Sequence, residues 1–276
     1  MKIVNIFLFS ILLFLSGCGS NQPLQPKKPL VWVSVAPYQF FTARIGGGHL
    51  DVRSIVPYGA DAHSFEPTPR QRESMKDGKI WFRIGESFER PLISLFQDRW
   101  TIVDLCDGID LINESTCGGN HLDRHMWMSP KLVQKQARAI AKVLCEQFPE
   151  HRQEFEANLQ TLIGDLEILD AEIKMALEPC KNHVLLVSHP AFGYYCQDYE
   201  LSQLSVEFEG KDPRPKHLEF VMQQRPDVAI ILPQHNNKGA EMIAEQFHLP
   251  ITMIDPYSYH YFETMRALTK WIQTKK

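Results

Sequence analysis

The 276-residue chain predicts an α/β protein of two lobes, each with a mostly parallel four-stranded sheet flanked by helices, joined by one long linking helix. Two observations carry this. Short apolar and β-branched runs come in two sets of four: Val31–Val35, Val52–Val56, Ile80–Ile84 and Thr101–Leu105, then Val184–Ser188, Leu204–Val206, Val228–Leu232 and Ile251–Ile254. Helix-prone stretches separate them, and strands that alternate with helices form parallel sheets. Between the sets, residues Glu150 to Glu178 carry Phe155, Leu159, Leu162, Leu166, Leu169, Ile173 and Ala176 at steps of four and three. That narrow apolar stripe lets a helix of roughly 43 Å lie along both lobes. A two-stranded coiled coil is the competing reading of the stripe. It lasts only about three heptads, with Pro149 and Pro179 bounding it.

The elements divide the chain in order. Residues 1–18 read as an export signal: Met1-Lys2, an apolar run from Ile3 to Leu15, then Leu15-Ser16-Gly17-Cys18. The run is too short to span a bilayer as a helix, and its ending has the form of a lipobox, so Cys18 is expected to be lipidated and to anchor the mature protein to a membrane. Residues 19–29, polar and proline-rich, suit a flexible tether. An N-terminal lobe over 30–148, the linking helix over 149–179 and a C-terminal lobe over 180–276 follow. The expected location is extracytoplasmic, in a periplasm or on a cell surface.

Composition agrees with a globular body beyond the anchor. Hydrophobic residues make up 44% and charged residues 22%, and the formal net charge is -4. Nucleic-acid binding, which needs a basic face, is excluded on that ground. Beyond Cys18, Cys106, Cys117, Cys145, Cys180 and Cys196 remain, an odd number that leaves at least one thiol free. Cys106 and Cys117, separated by a short Gly-containing loop, form the pair easiest to close. No C-x-x-C spacing recommends the cysteines as metal ligands.

Chemistry concentrates on three histidines and an aspartate. His63, His125, His189 and Asp255 each sit where a strand or loop gives way to a helix, at intervals of 62, 64 and 66 residues. Ligands in open parallel sheets bind beyond the carboxyl ends of the strands. His63, His189 and Asp255 follow their strands closely, and His125 precedes a helix that Ser129 should cap with Pro130 at its first position. All four are therefore expected to face one cleft. Three imidazoles with one carboxylate form a borderline donor set that suits a first-row divalent ion, zinc above all.

The segments A-D-A-H63-S-F-E-P-T-P-R, D-R-H125-M-W-M-S-P and S-H189-P-A-F-G-Y-Y resemble the histidine-bearing signatures of the zinc and manganese solute-binding proteins of ABC importers, the ZnuA/TroA-like family. F-R-I-G-E-S-F-E is similar to that family's Gly-x-x-x-Glu stretch, and I-D255-P-Y to the Asp-Pro that carries its fourth ligand. The resemblance runs from about Leu30 to the C-terminus. It implies extracytoplasmic capture of a divalent transition metal and delivery to an ABC permease, and it favours the single linking helix; a continuous helix between lobes makes a stiff hinge, so large clamshell closure is not expected, and the protein is expected to be a monomer. The resemblance also implies that a histidine at the third position, here His189, leans towards zinc, with manganese and ferrous iron still accepted. The long His-rich loop of zinc-specialised members is almost absent around His121.

Other readings stay open beside it. His235, in L-P-Q-H-N-N, also follows a strand of the second lobe and is a candidate to approach the cleft. Glu66, three residues after His63, is a candidate general base, though a loop tether or a helix cap suits it better. An exported zinc-dependent hydrolase is the alternative function, and a surface adhesin a third. Four protein ligands would close the tetrahedron that a catalytic zinc leaves open to water, and neither H-E-x-x-H nor a nucleophile motif is present.

Overall fold

The structure, a computed structural model, describes residues 27–114, 121–207 and 215–274. The export signal with Cys18, nearly all of the tether, and Cys117 with its expected partnership to Cys106 lie outside the described residues. Among the described residues no helix is long and apolar enough to cross a membrane.

Two four-stranded parallel sheets are present. The first orders its strands β2-β1-β3-β4, from β1 (Leu30–Val33), β2 (Asp51–Ser54), β3 (Gly78–Arg83) and β4 (Thr101–Asp104). The second repeats that order as β6-β5-β7-β8, from β5 (Val184–Val187), β6 (Ser202–Ser205), β7 (Val228–Ile231) and β8 (Ile251–Met253). Inner strands are buried on both faces, which is why L-V-W-V and V-A-I-I are continuous apolar runs. Edge strand β6 differs from its expected span: it begins at Ser202, two residues before the apolar Leu204, because pairing with β5 extends the ladder through polar side chains.

Helices α1 (Ala36–Gly46), α2 (Pro69–Met75), α3 (Glu89–Phe96) and α4 (Pro130–Gln147) belong to the first half. The second half adds α6 (Gly193–Asp198), α7 (Pro215–Gln223), α8 (Lys238–Gln246) and α9 (Tyr261–Ile272). Ser129 does cap α4, its Oγ accepting from Leu132 N at 3.1 Å with Pro130 next in line. Glu66 caps nothing. It is exposed, and α2 is capped instead by Thr68 and Gln71, whose side chains each bond the other's backbone N–H.

Between the sheets runs α5 (Arg152–Leu177), 26 residues and about 39 Å long, with 3-10 turns at Pro149–His151 and Glu178–Cys180 closing its ends. Its buried stripe is Phe155, Leu159, Leu162, Ile163, Leu166, Leu169, Ile173 and Leu177. Leu177 takes the last place expected for Ala176; both lie within one turn of Ile173, and the larger side chain fills the space. The first turns and the middle of α5 are tied to α1, through Asn158 Nδ2 to Ile45 O at 3.1 Å and Arg44 to Asp165 at 2.6 Å. The second half is tied to the other lobe, where the Tyr199 hydroxyl donates to Asp170 at 2.8 Å and Arg266 to Glu172 at 2.9 Å.

One apolar core runs through both halves. It holds Trp81, Phe82 and Leu144 of the first, the α5 stripe, and Leu185, Val187, Val228 and Ile230 of the second. The alternate residues of those last strands, Leu186, Ala229 and Ile231, face a smaller cluster with Ala240 and Ile243 of α8.

Candidate metal centre

Nearly every strand end of the molecule feeds one place. His63 follows β2, Glu86 follows β3, and the β4–α4 connection supplies Glu114, Asp123 and His125. From the second sheet, His189 follows β5, Glu207 follows β6, His235 follows β7 and Asp255 follows β8. Parallel strands put all their carboxyl ends on one side of a sheet, and the cleft lies there.

Each histidine is held by its Nδ1 edge. His125, fully buried, sets Nδ1 2.8 Å from Asp123 Oδ1, which also accepts the His125 backbone N–H at 2.7 Å. His189 Nδ1 lies 2.9 Å from Glu207 Oε2. His63 Nδ1 stands 3.3 Å from Glu86 Oε1 as an ion pair, and the backbone N–H of His63 donates to Asp61 Oδ1 at 2.9 Å. An ionised carboxylate only accepts, so each Nδ1 carries a proton, and each Nε2 presents a lone pair whenever its ring is neutral. This is how carboxylates orient metal-binding imidazoles. The ring centroids of the three are 4.9 to 5.3 Å apart, and His63 Nε2 faces His189 Nε2 at 3.2 Å.

Glu86 owes its place to Glu89. That buried carboxylate accepts from Ile84 N at 2.9 Å and Gly85 N at 2.8 Å, pinning the turn after β3. Gly85 sits there at φ +85, and a Cβ on it would meet Arg124 Nη1 at 2.7 Å, so only glycine suits the position.

The charges divide unevenly. Burial pulls the His63 imidazole down, but contact with Glu86 and the nearby Glu114 and Asp61 carboxylates more than offset this, and its pKa rises to about 9. Burial dominates at His189 and takes it down to about 3. Burial would raise Glu207, yet hydrogen bonds from His189 and His235 bring it down to about 2. In the metal-free protein near neutrality, therefore, a proton on His63 Nε2 bridges the two facing lone pairs. The Tyr257 hydroxyl, held neutral by burial, donates to His125 Nε2 at 3.0 Å.

Of the four residues expected as ligands, the structure brings His63, His125 and His189 together. With Glu114, their donor atoms all lie within 4.8 Å of one another. Asp255 is not in that group. Its Oδ1 accepts from Gln234 Nε2 at 2.8 Å and Tyr257 N at 2.9 Å, while its Oδ2 is buried without a hydrogen-bond partner among the described residues. His235 does approach the cleft: its ring stacks on His189 with centroids 4.0 Å apart, and its Nδ1 lies 3.3 Å from Glu207 Oε2. Glu114 carried no motif in the sequence. Asp123 was visible two residues before His125, but its role needed the structure.

The family described as zinc-uptake complex component A, periplasmic, matches residues 31–275. A candidate metal-binding protein of Chlamydia trachomatis serovar D is 30% identical over 275 residues, covering 97% of this chain and 98% of that one. The high-affinity zinc uptake system protein ZnuA of Bacillus subtilis is 27% identical over 223 residues, covering 74% of this chain and 70% of its own length. A crystal structure of ZnuA superimposes with a TM-score of 0.83 at 29% identity, over 90% of this chain and 99% of that one. The zinc-binding protein TroA of Treponema pallidum shares the fold, with a TM-score of 0.81 at 18% identity over 90% of this chain and 99% of its own.

Proposed function

Because the chain belongs to the family of periplasmic zinc-uptake complex component A proteins, we propose that it captures a divalent transition metal ion in the cleft between its lobes and delivers it to an ABC permease. Zinc is the foremost cargo, with manganese and ferrous iron accepted. We further propose that it works outside the cytosol as a monomer tethered through lipid on Cys18. The observation that carries the reading is the convergence of three imidazoles, each with a carboxylate oxygen within 3.3 Å of its Nδ1. Neutral imidazole with that support is a strong ligand for zinc and its neighbours. Protein purified without added metal should contain about one equivalent of a first-row divalent metal by mass spectrometry. Metal-free protein that also fails to bind zinc against a chelator overturns the proposal.

Asp255 is proposed as the carboxylate ligand from the second lobe. Support comes from its Oδ2, buried and unpartnered while Oδ1 is fastened. Asp255→Ala should weaken zinc binding by on the order of a hundredfold without abolishing it, since three imidazoles still hold the ion with water in the vacated position. His235→Ala removes a stacking neighbour and should cost less than about tenfold, the lower end of what supporting residues contribute. Competition against a chelator of known affinity ranks the two, and the reverse order transfers the ligand role to His235.

Affinity should also depend on pH with a definite sign. The His63 proton, raised to about 9, must leave before Nε2 can bind the ion. Lower pH therefore favours the metal-free protein, and below pH 9 affinity falls about tenfold per unit for that one proton. Chelator competition at several pH values measures the slope; a flat profile between pH 8 and 6 removes His63 from the site.

A further inference from the structure

We infer that Glu114 is a direct ligand of the bound ion and the residue that sets how well manganese(II) competes with zinc(II). The inference rests on the three-histidine reading above and adds to it a donor from the β4–α4 connection. Glu114 Oε1 lies 3.8 Å from His189 Nε2, and the side chain is 16% exposed. Two donors bonded at 2.0–2.1 Å to one tetrahedral ion stand about 3.3 Å apart. The observed separations of 3.2 Å, between His63 and His189, and 3.8 Å, to Glu114, lie either side of that figure.

The backbone holds Glu114 in place. Asn113 pairs with Leu122 as an antiparallel bridge, Glu114 N donates to His121 O at 2.8 Å, and Asp123 N donates to Ile112 O at 2.8 Å. This short ladder fastens the base of the loop beside His125. Among the described residues the Glu114 carboxylate makes no hydrogen bond, and its one ion-pair contact is to His189. A partly buried carboxylate beside three imidazoles, with no hydrogen-bond donor of its own, is stabilised by a cation placed between them.

Glu114 also changes the charge and the coordination number. With Asp255 it would supply two negative charges to a doubly charged ion and raise the donors from four to five. Zinc is satisfied by four, whereas manganese(II) is the harder ion and gains more from each added carboxylate oxygen. The side chain therefore bears on selectivity as well as affinity.

The test compares the full chain with Glu114→Gln and Glu114→Asp, using cobalt(II) as a spectroscopic probe and chelator competition for zinc(II) and manganese(II). Glu114→Gln should lose about tenfold in zinc affinity and about a hundredfold or more in manganese affinity. Its cobalt(II) d–d bands should strengthen as the coordination number falls, and Glu114→Asp, which keeps the charge, should recover part of the manganese affinity. An unchanged cobalt spectrum overturns ligation, and an unchanged zinc-to-manganese ratio overturns the selectivity role. The triple variant His63→Ala, His125→Ala, His189→Ala separates the two readings. If it loses cobalt while Glu114→Gln behaves as the parent protein, only the Glu114 inference fails; if it binds as the parent does, the three-histidine site fails.

Discussion

Alanine at His125 should lower zinc affinity by more than about a hundredfold, because it removes a proposed ligand, where losing even a supporting partner typically costs 10–100-fold. His125 has no exposed surface, and both of its ring nitrogens are engaged, Nδ1 by Asp123 and Nε2 by the Tyr257 hydroxyl. The substitution therefore strips a partner from the buried Asp123 carboxylate and the acceptor from a buried phenol. Asp123 keeps the backbone N–H of residue 125, but leaving the phenol unsatisfied costs about 1–3 kcal/mol, so the metal-free variant should also be less stable. Chelator competition reads the first effect and urea unfolding of the metal-free protein reads the second. A variant that keeps parental zinc affinity would exclude His125 as a ligand, whatever its stability.

Leu166→Ala should destabilise the protein by about 2–5 kcal/mol, the range for a well-packed leucine whose loss leaves a cavity. Leu166 is fully buried at the middle of α5, between the turns tied to α1 and those tied to Tyr199 and Arg266. In urea the midpoint should drop while the slope stays the same, since the surface exposed on unfolding is unchanged. Zinc affinity of the folded variant should stay near that of the parent. A loss under about half a kcal/mol would mean the stripe faces solvent, and would remove the helix from its place between the lobes.

Much of the fold is legible because burial on both faces forces the inner strands to be apolar: V-L-L-V and V-A-I-I announce β5 and β7. Edge strand β6 is less so, since Ser202 and Gln203 are drawn into the ladder by β5 and carry no apolar signal; Gln203 instead accepts from Phe192 N at 2.9 Å. The three histidines could be found because each stands at a junction within a distinctive segment. Asp123 stood two residues before His125, but its role as a carboxylate partner, like those of Glu86 and Glu207, could not be read. Glu86 and Glu207 come from the ends of other strands, and the distances between them exist only once the sheets are assembled. Glu114 lies in a loop without periodicity or motif, and a two-residue bridge, Asn113 with Leu122, is what brings it over the site.

The core shared by Trp81, the α5 leucines and Ile230 bears on how fast the ion is exchanged. A hinge between separately packed lobes would gate escape on the microsecond-to-millisecond timescale. Here a swing of that kind would tear a continuous apolar interior, so departure is expected to proceed through local movements such as rotation of the Tyr257 ring back onto His125. The residence time of a bound ion is then expected to be governed by the rupture of coordinate bonds, one after another.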